Sequence, residues 1–308
     1  MFEQATDLSD IEPIEHSPNT YPTTLKKGTI IPGFINAATW CDHQTGKIFV
    51  FGREILGRGN DAPDPSNSTL LICNRYGNVL EKKVVTRPNE RGEQFEDWRA
   101  DLTNHGTVVL GATWTAKATD GKYKAQLAWT EIPANWDGRL RKICIVPEAG
   151  YGKDVTPWRN GTRILFRHDG FEKDHVLSDY VIGNKNRLQY AGEVYMPPPI
   201  KSRFIKSGTT YAPRIEGDGT GFGLFHFQEM IGDEIVYSIR KARVHMNDRL
   251  FIDMVDLERA VTKDSFDSKI PELRQSPQVR VVYMTGQDFY NVADRMTVVA
   301  GFPIGATI

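Results

Sequence analysis

The chain has 308 residues and a mass of 34.8 kDa, enough for one large core or two tight domains. Hydrophobic residues make up 40%, charged residues 25% and aromatics 10%, a balance that excludes wholesale disorder and fibrous architectures. The 38 basic and 39 acidic side chains leave a formal charge of -1, which argues against a nucleic-acid or anionic-membrane surface as the main business of the molecule.

Residues 1–30 read as an extended lead-in. The start, Met1 to Leu8, is acidic and lacks the basic-then-apolar order of a secretory signal. Pro13, Pro18, Pro22 and Pro32 are spaced so that no helix can propagate. Apolar runs such as Ile48 to Phe51 are far shorter than the roughly 20 residues that cross a bilayer, so no membrane partner is expected. Cys41, Cys73 and Cys144 are odd in number and widely spaced, which suits free thiols in a reducing compartment and makes the cytosol the expected location. Without a secretion route, the triplets at Asn67-Ser68-Thr69 and Asn160-Gly161-Thr162 carry little weight as glycosylation sites.

From Gly33 onward the texture is short β-branched and aromatic runs separated by Gly, Asp and Asn turns. Strands are predicted within Ile48–Gly52, Leu70–Cys73, Thr107–Ala112, Gln126–Glu131, Arg163–Arg167, Phe222–Phe227, Glu234–Ile239, Val279–Met284 and Met296–Ala300. One short peripheral helix is predicted over Asp253–Lys263. The stretch Asn184–Pro199, with three consecutive prolines at its end, reads as a loop suited equally to a lid or a subunit contact. Gly217 to Gly221 mimics a nucleotide loop, but it precedes a strand and reads as a hairpin turn.

A repeat emerges from a strand that begins in polar residues, turns, and returns as a strongly hydrophobic strand. Five segments fit, beginning near Ile35, Glu96, Lys153, Tyr211 and Val281. Asn36, Asp97, Asp154 and Pro213 stand roughly 60 residues apart, the length of one four-stranded propeller blade with loops. Residues 31–308 are therefore expected to form a single catalytic domain, an all-β five-bladed β-propeller; two β-sandwiches are the competing architecture. The innermost strands of a propeller share one central channel, so Asn36, Glu96, Asp97, Arg99, Lys153, Asp154, Tyr211 and Arg214 would meet there. Trp40, Trp98, Trp114, Trp158, Tyr211 and Phe227 would supply aromatic faces, and a sugar is the ligand that apolar CH faces with polar edges suggest.

Ordinary glycoside hydrolysis needs two carboxyls, one to protonate the departing oxygen and one to activate water or attack the anomeric carbon. Phosphorolysis needs one acid and a cradle of cations, because phosphate is already an anion at neutral pH. Arg53, Arg99, Lys153, Arg167, His168 and Arg214, all near strand ends, offer such a cradle. His168 and His175 lie near Asp169 and Asp174, but their spacing matches no strong ligand motif; no metal and no cofactor is expected.

The order Phe34-Ile35-Asn36-Ala37-Ala38, Phe51-Gly52-Arg53, Glu96-Asp97-Trp98-Arg99, Gly152-Lys153-Asp154, Ile164 to His168 and Tyr283-Met284-Thr285-Gly286 resembles the five-bladed β-mannoside phosphorylases. Those enzymes carry Phe-Asn-Pro-Ala, a strand ending in Arg, a Glu-Asp-Pro-Arg signature and a Lys-Asn step. The nearer likeness is to the mannosyltransferase/phosphorylase group, which builds and degrades the β-1,2-mannan reserve mannogen. The resemblance implies inverting mannosyl transfer with mannooligosaccharide and phosphate, mannose 1-phosphate or a nucleotide sugar such as GDP-mannose as partners. It implies Asp97 as general acid, acting through a sugar hydroxyl. It makes Arg53, Lys153, Arg167 and His168 phosphate ligands, and Asn36, Glu96 and Arg99 groups that position the mannosyl ring; Asp154, Tyr211 and Arg214 join the substrate side.

The chain also departs from the pattern: Trp98 stands for the signature proline, Asp154 for an asparagine, and a late aspartate has no counterpart near Gly301-Phe302-Pro303. Two other readings stay open. One is a hydrolase with Asp97 as acid and Asp154 or Glu54 as base; the other is a noncatalytic sugar-binding propeller whose channel charges neutralise one another. Should Asp97 be a mere turn residue, Asp101 is the next candidate acid.

Overall fold

The computed structural model describes residues 4–7, 34–56, 65–117, 123–168, 176–183, 187–201, 203–204, 206–231, 234–261, 283–290 and 295–301. Nearly every described stretch is strand. The first blade is the antiparallel meander β2 (Phe34–Asp42), β3 (Lys47–Ile55), β4 (Ser66–Cys73) and β5 (Val79–Thr86). The second comprises β6 (Gln94–Leu102), β7 (Thr107–Lys117), β8 (Tyr123–Pro133) and the start of β9 (Lys142–Trp158). The end of β9 opens the third, with β10 (Arg163–His168), β11 (Leu177–Ile182) and β12 (Leu188–Glu193). The fourth is β13 (Lys206–Ile215), β14 (Thr220–Ile231), β15 (Glu234–Met246) and β16 (Leu250–Val261), preceded by the one-turn helix α1 (Pro198–Lys201). A hairpin of β17 (Tyr283–Tyr290) and β18 (Arg295–Gly301) is the described part of the fifth. From the lead-in, β1 (Gln4–Asp7) pairs with the Lys142–Ile145 part of β9.

The innermost strands β2, β6, β9, β13 and β17 neighbour one another in that order, and β17 returns to β2. The fold is a five-bladed β-propeller.

Hydrophobic cores lie between blades, which is why second strands read as continuous apolar runs instead of alternating ones. Val108 and Leu110 face Phe51, Leu70 and Trp98 in the layer shared by blades one and two. Val109, on the other face of the same strand, packs with Val155, Ile164 and Phe166 toward blade three. Leu165 in turn joins Phe225, Phe227 and Val244 toward blade four.

Trp40, Trp98, Trp158 and Phe227 therefore do not line the channel as expected; all four are buried in these interblade layers. Each indole finds a partner for its N–H: Trp40 donates to the Ala134 carbonyl at 2.9 Å, Trp98 to Ser68 Oγ at 3.0 Å and Trp158 to Asp179 Oδ1 at 3.1 Å. Trp114 is half-buried against the first of these layers, and the Tyr211 side chain falls outside the described residues.

The helix expected over Asp253–Lys263 is strand β16 as far as Val261, and the rest lies outside the described residues. Ile252 and Val255 are three apart, a helical spacing, yet both are buried on one face of the sheet. The register shift between Arg243 and Val244 places one extra residue in β16 between them, so a bulge produces the three-residue phase. Within the stretch that read as a loop, Leu188–Glu193 is the outer strand of blade three, and Tyr195 bridges to Phe251 of blade four. Among the described residues, no helix is long and apolar enough to cross a membrane.

Candidate active site

The repeat that spaced Asn36, Asp97 and Asp154 reappears as a backbone feature. All three are left-handed, with φ of 50°, 56° and 57°. At each, the pairing of the inner strand slips by one residue: between Ile35 and Ala38 against β3, between Glu96 and Arg99 against β7, and between Lys153 and Thr156 against β10. Asn and Asp tolerate this conformation better than other side chains bearing a Cβ, which accounts for the residue types at the three positions. Such a bulge also turns a side chain out of the regular in-and-out alternation. β13 slips in the same way between Tyr211 and Arg214.

Asn36 and Asp97, though 61 residues apart in sequence, meet directly: Asn36 Nδ2 donates to Asp97 Oδ1. Asp97 is half-buried, and its carbonyl accepts from Arg99 Nη1 at 3.2 Å. Glu96, almost fully buried, gathers Arg53 Nη2 at 3.3 Å, Lys153 Nζ at 3.5 Å and the Gln94 amide at 3.0 Å. Arg53 is steadied by Ser66 Oγ at 3.0 Å. Asp154 is bound by Arg167 Nη1, by His226 Nε2 at 3.2 Å and by Arg99 Nη2 at 3.8 Å.

Burial alone would discourage Asp154 from ionising, but Arg167, His226 and Arg99 outweigh it and hold the carboxyl well below the usual carboxylate range. Burial likewise pulls the Lys153 ammonium down, and Glu96, Asp97 and Asp154 together raise it above its ordinary value, so this cation stays charged. Lys153 is also the open member of the set, with 39% of its side chain exposed. Among the described residues, two buried polar atoms of this cluster, Asn36 Oδ1 and Arg99 Nε, have no hydrogen-bond partner.

Asn36, Arg53, Glu96, Asp97, Arg99, Lys153, Asp154 and Arg167 thus form one connected cluster. His168 does not join it. Arg167 points at Asp154, and the next residue on a strand points to the opposite face, where His168 lies edge-on to Phe166 at 4.9 Å. The histidine on Asp154 is His226, which the sequence reasoning missed. Aligning Phe225-His226 with Phe166-Arg167 in the repeat places His226 in the column of Arg167, so a usable signal was there. Arg214 is exposed and acts on Asp101, four residues beyond Asp97 on β6 and so up to roughly 13 Å along the strand.

Burial raises Asp101 from its ordinary carboxyl value, against the opposing pull of the Gly161 amide, which donates to its Oδ2 at 2.7 Å, and of Arg214. With the folded-state value above the unfolded one, ionised Asp101 weakens the fold at neutral pH, and this penalty fades as pH falls through the folded value toward the unfolded one. Asp101→Asn keeps an acceptor for Gly161 and is expected to raise the melting temperature at pH 7 but not at pH 3; equal effects at both would refute this.

No protein-family model and no curated protein matches the sequence. Solved structures do match. The fold is shared with mannoside-processing enzymes. A glycoside hydrolase of the GH130 family of mannoside phosphorylases, described as targeting β-1,2 mannosidic linkages in Candida mannan, superposes with a TM-score of 0.53 at 14% identity, over 99% of this chain and 98% of that one. A putative glycoside hydrolase from Parabacteroides distasonis gives 0.53 at 13% identity, over 100% and 98%. MPT-4, a mannose phosphorylase from Leishmania mexicana in complex with a phosphate ion, gives 0.51 at 13%, over 89% and 81%. At these identities the likeness speaks to the fold.

Proposed function

We propose that this chain is a carbohydrate-active enzyme that transfers mannosyl units with inversion, acting on β-1,2-mannooligosaccharides with phosphate, mannose 1-phosphate or a nucleotide sugar such as GDP-mannose. The observation that carries this is one cluster in which Asp97, bonded to Asn36 and Arg99, lies beside Glu96 and Asp154, which hold Arg53, Lys153, Arg99 and Arg167 from three different blades. The phosphate-bound phosphorylase of the same fold supports the choice of co-substrate.

In phosphorolysis, a phosphate oxygen attacks the anomeric carbon from the face opposite the glycosidic bond. As the C1–O bond breaks, Asp97 delivers a proton through a sugar hydroxyl to the departing oxygen, leaving mannose 1-phosphate and a shortened chain. In the synthetic direction its carboxylate takes the proton back. Lys153 and Arg53 hold the anion, while Asn36 and Arg99 position the mannosyl ring. A water-activating base is hard to find: Asp154 is too strongly held as a carboxylate to accept a proton readily, and Glu54 is fully buried with Thr69 Oγ1 at 2.9 Å. The mutual pairing of Glu96 with Arg53 and Lys153, and of Asp154 with Arg167, favours a second reading, a noncatalytic sugar-binding propeller.

Incubation with β-1,2-mannobiose and phosphate is expected to release mannose 1-phosphate. Free mannose in its place indicates hydrolysis, and saturable sugar binding without turnover indicates the noncatalytic propeller; either sinks the phosphorylase reading.

A further inference from the structure

We propose that Asp154, seconded by Glu96, is a built-in counter-anion that limits how much negative charge this site accepts from its substrate; the inference rests on the anion seat proposed above. Three basic side chains from three strands converge on the Asp154 carboxylate: Arg167 of β10, His226 of β14 at 3.2 Å and Arg99 of β6 at 3.8 Å. Converging guanidinium and imidazole groups are the surroundings a phosphate would need, and here a side chain of the protein already fills them. The clamp is close. A Cβ at Gly208 would collide with both Asp154 Oδ2 and His226 Nε2, so the backbone of β13 lies directly over the pair.

Glu96 plays the same part for Arg53 and Lys153, at 3.3 and 3.5 Å. Among the described residues, the four cations Arg53, Arg99, Lys153 and Arg167 therefore share their site with three carboxylates, Glu96, Asp97 and Asp154, which offset most of their charge. A seat of that kind takes a neutral sugar or a singly charged anion readily, and a phosphate dianion only against the repulsion of a carboxylate on the same donors. Asp154 is thus a specificity-determining residue, setting anion affinity without touching the anomeric centre.

The test is calorimetric titration of the full chain with inorganic phosphate at low salt and mildly alkaline pH. Asp154→Asn keeps the side-chain shape and suits the left-handed backbone. It is expected to bind phosphate about 10-fold to 100-fold more tightly than the unaltered protein, with the gain shrinking as salt is added. Glu96→Gln, which leaves that bulge untouched, is expected to move in the same direction and serves if Asp154→Asn does not fold. Unchanged, weaker or undetectable phosphate binding in the soluble variant overturns the proposal. Neither readout involves sugar, so tighter phosphate binding without mannooligosaccharide turnover would refute the proposed reaction and leave this inference standing.

Discussion

Asp97→Asn is expected to abolish most turnover, cutting the release of mannose 1-phosphate by about 100-fold to 10,000-fold, the usual loss when general acid assistance is removed. The substitution isolates the proton. Asparagine tolerates the φ of 56° at this bulge, and its amide still offers an oxygen to Asn36 Nδ2. Melting behaviour should stay close to that of the parent, and sugar binding should survive. A substrate with a good leaving group needs little protonation, so an activated aryl mannoside should lose far less rate in this variant than mannobiose does. Equal activity of the variant and the parent on mannobiose would remove Asp97 from the chemistry and shift attention to Asp101.

The largest effect on stability is expected at Arg240. This guanidinium reaches Glu229 Oε1 at 2.5 Å, Ser238 Oγ at 3.1 Å and the carbonyls of Asp256 and Leu257 at 3.2 and 2.8 Å, so it ties β14, β15 and β16 together. Both members of the ion pair are buried, at 6% exposure each. Arg240→Met leaves Glu229, among the described residues, with Arg203 as its ion-pair partner, half-exposed and at 3.3 Å. Breaking a buried pair from one side costs about 3–5 kcal/mol, which for a chain of this size is roughly 10 °C in melting midpoint. Removing both charges in Glu229→Leu/Arg240→Met should recover most of that loss. A single variant that melts with the parent would mean the pair contributes little to blade four.

The architecture was legible because a propeller repeats. Five polar-start, apolar-return units spaced by about 60 residues locate the inner strands, and the polar residues at the starts of the first three, Asn36, Glu96 to Arg99 and Lys153 to Asp154, do come together. The aromatics were misplaced for a physical reason. In this fold the greasy layers sit between blades, so Trp98, beside Asp97 in sequence, is carried into the Phe51–Phe95 layer while Asp97 meets Asn36 of the first blade. One-residue bulges defeated periodicity in two ways: they disguised β16 as a helix, and they broke the alternation of the inner strands at Asn36, Asp97 and Asp154. His168 and Arg167 are adjacent in the sequence, yet only the strand geometry tells which faces Asp154. That Arg214 answers to Asp101 depends on how far along its strand each residue sits, which residue type alone does not convey.

Strand β9 ties the perimeter of the molecule to its centre. Its first residues, Lys142 to Ile145, hold the N-terminal segment Gln4–Asp7 at the outer edge of blade two, and nine residues further on the same strand delivers Asp154. At about 3.3 Å per residue, the anchorage and the carboxylate are at most some 30 Å apart along one unbroken stretch of backbone. Trimming the amino terminus would therefore loosen one mooring of the strand that carries Asp154, giving a remote piece of chain a mechanical route to the charged cluster.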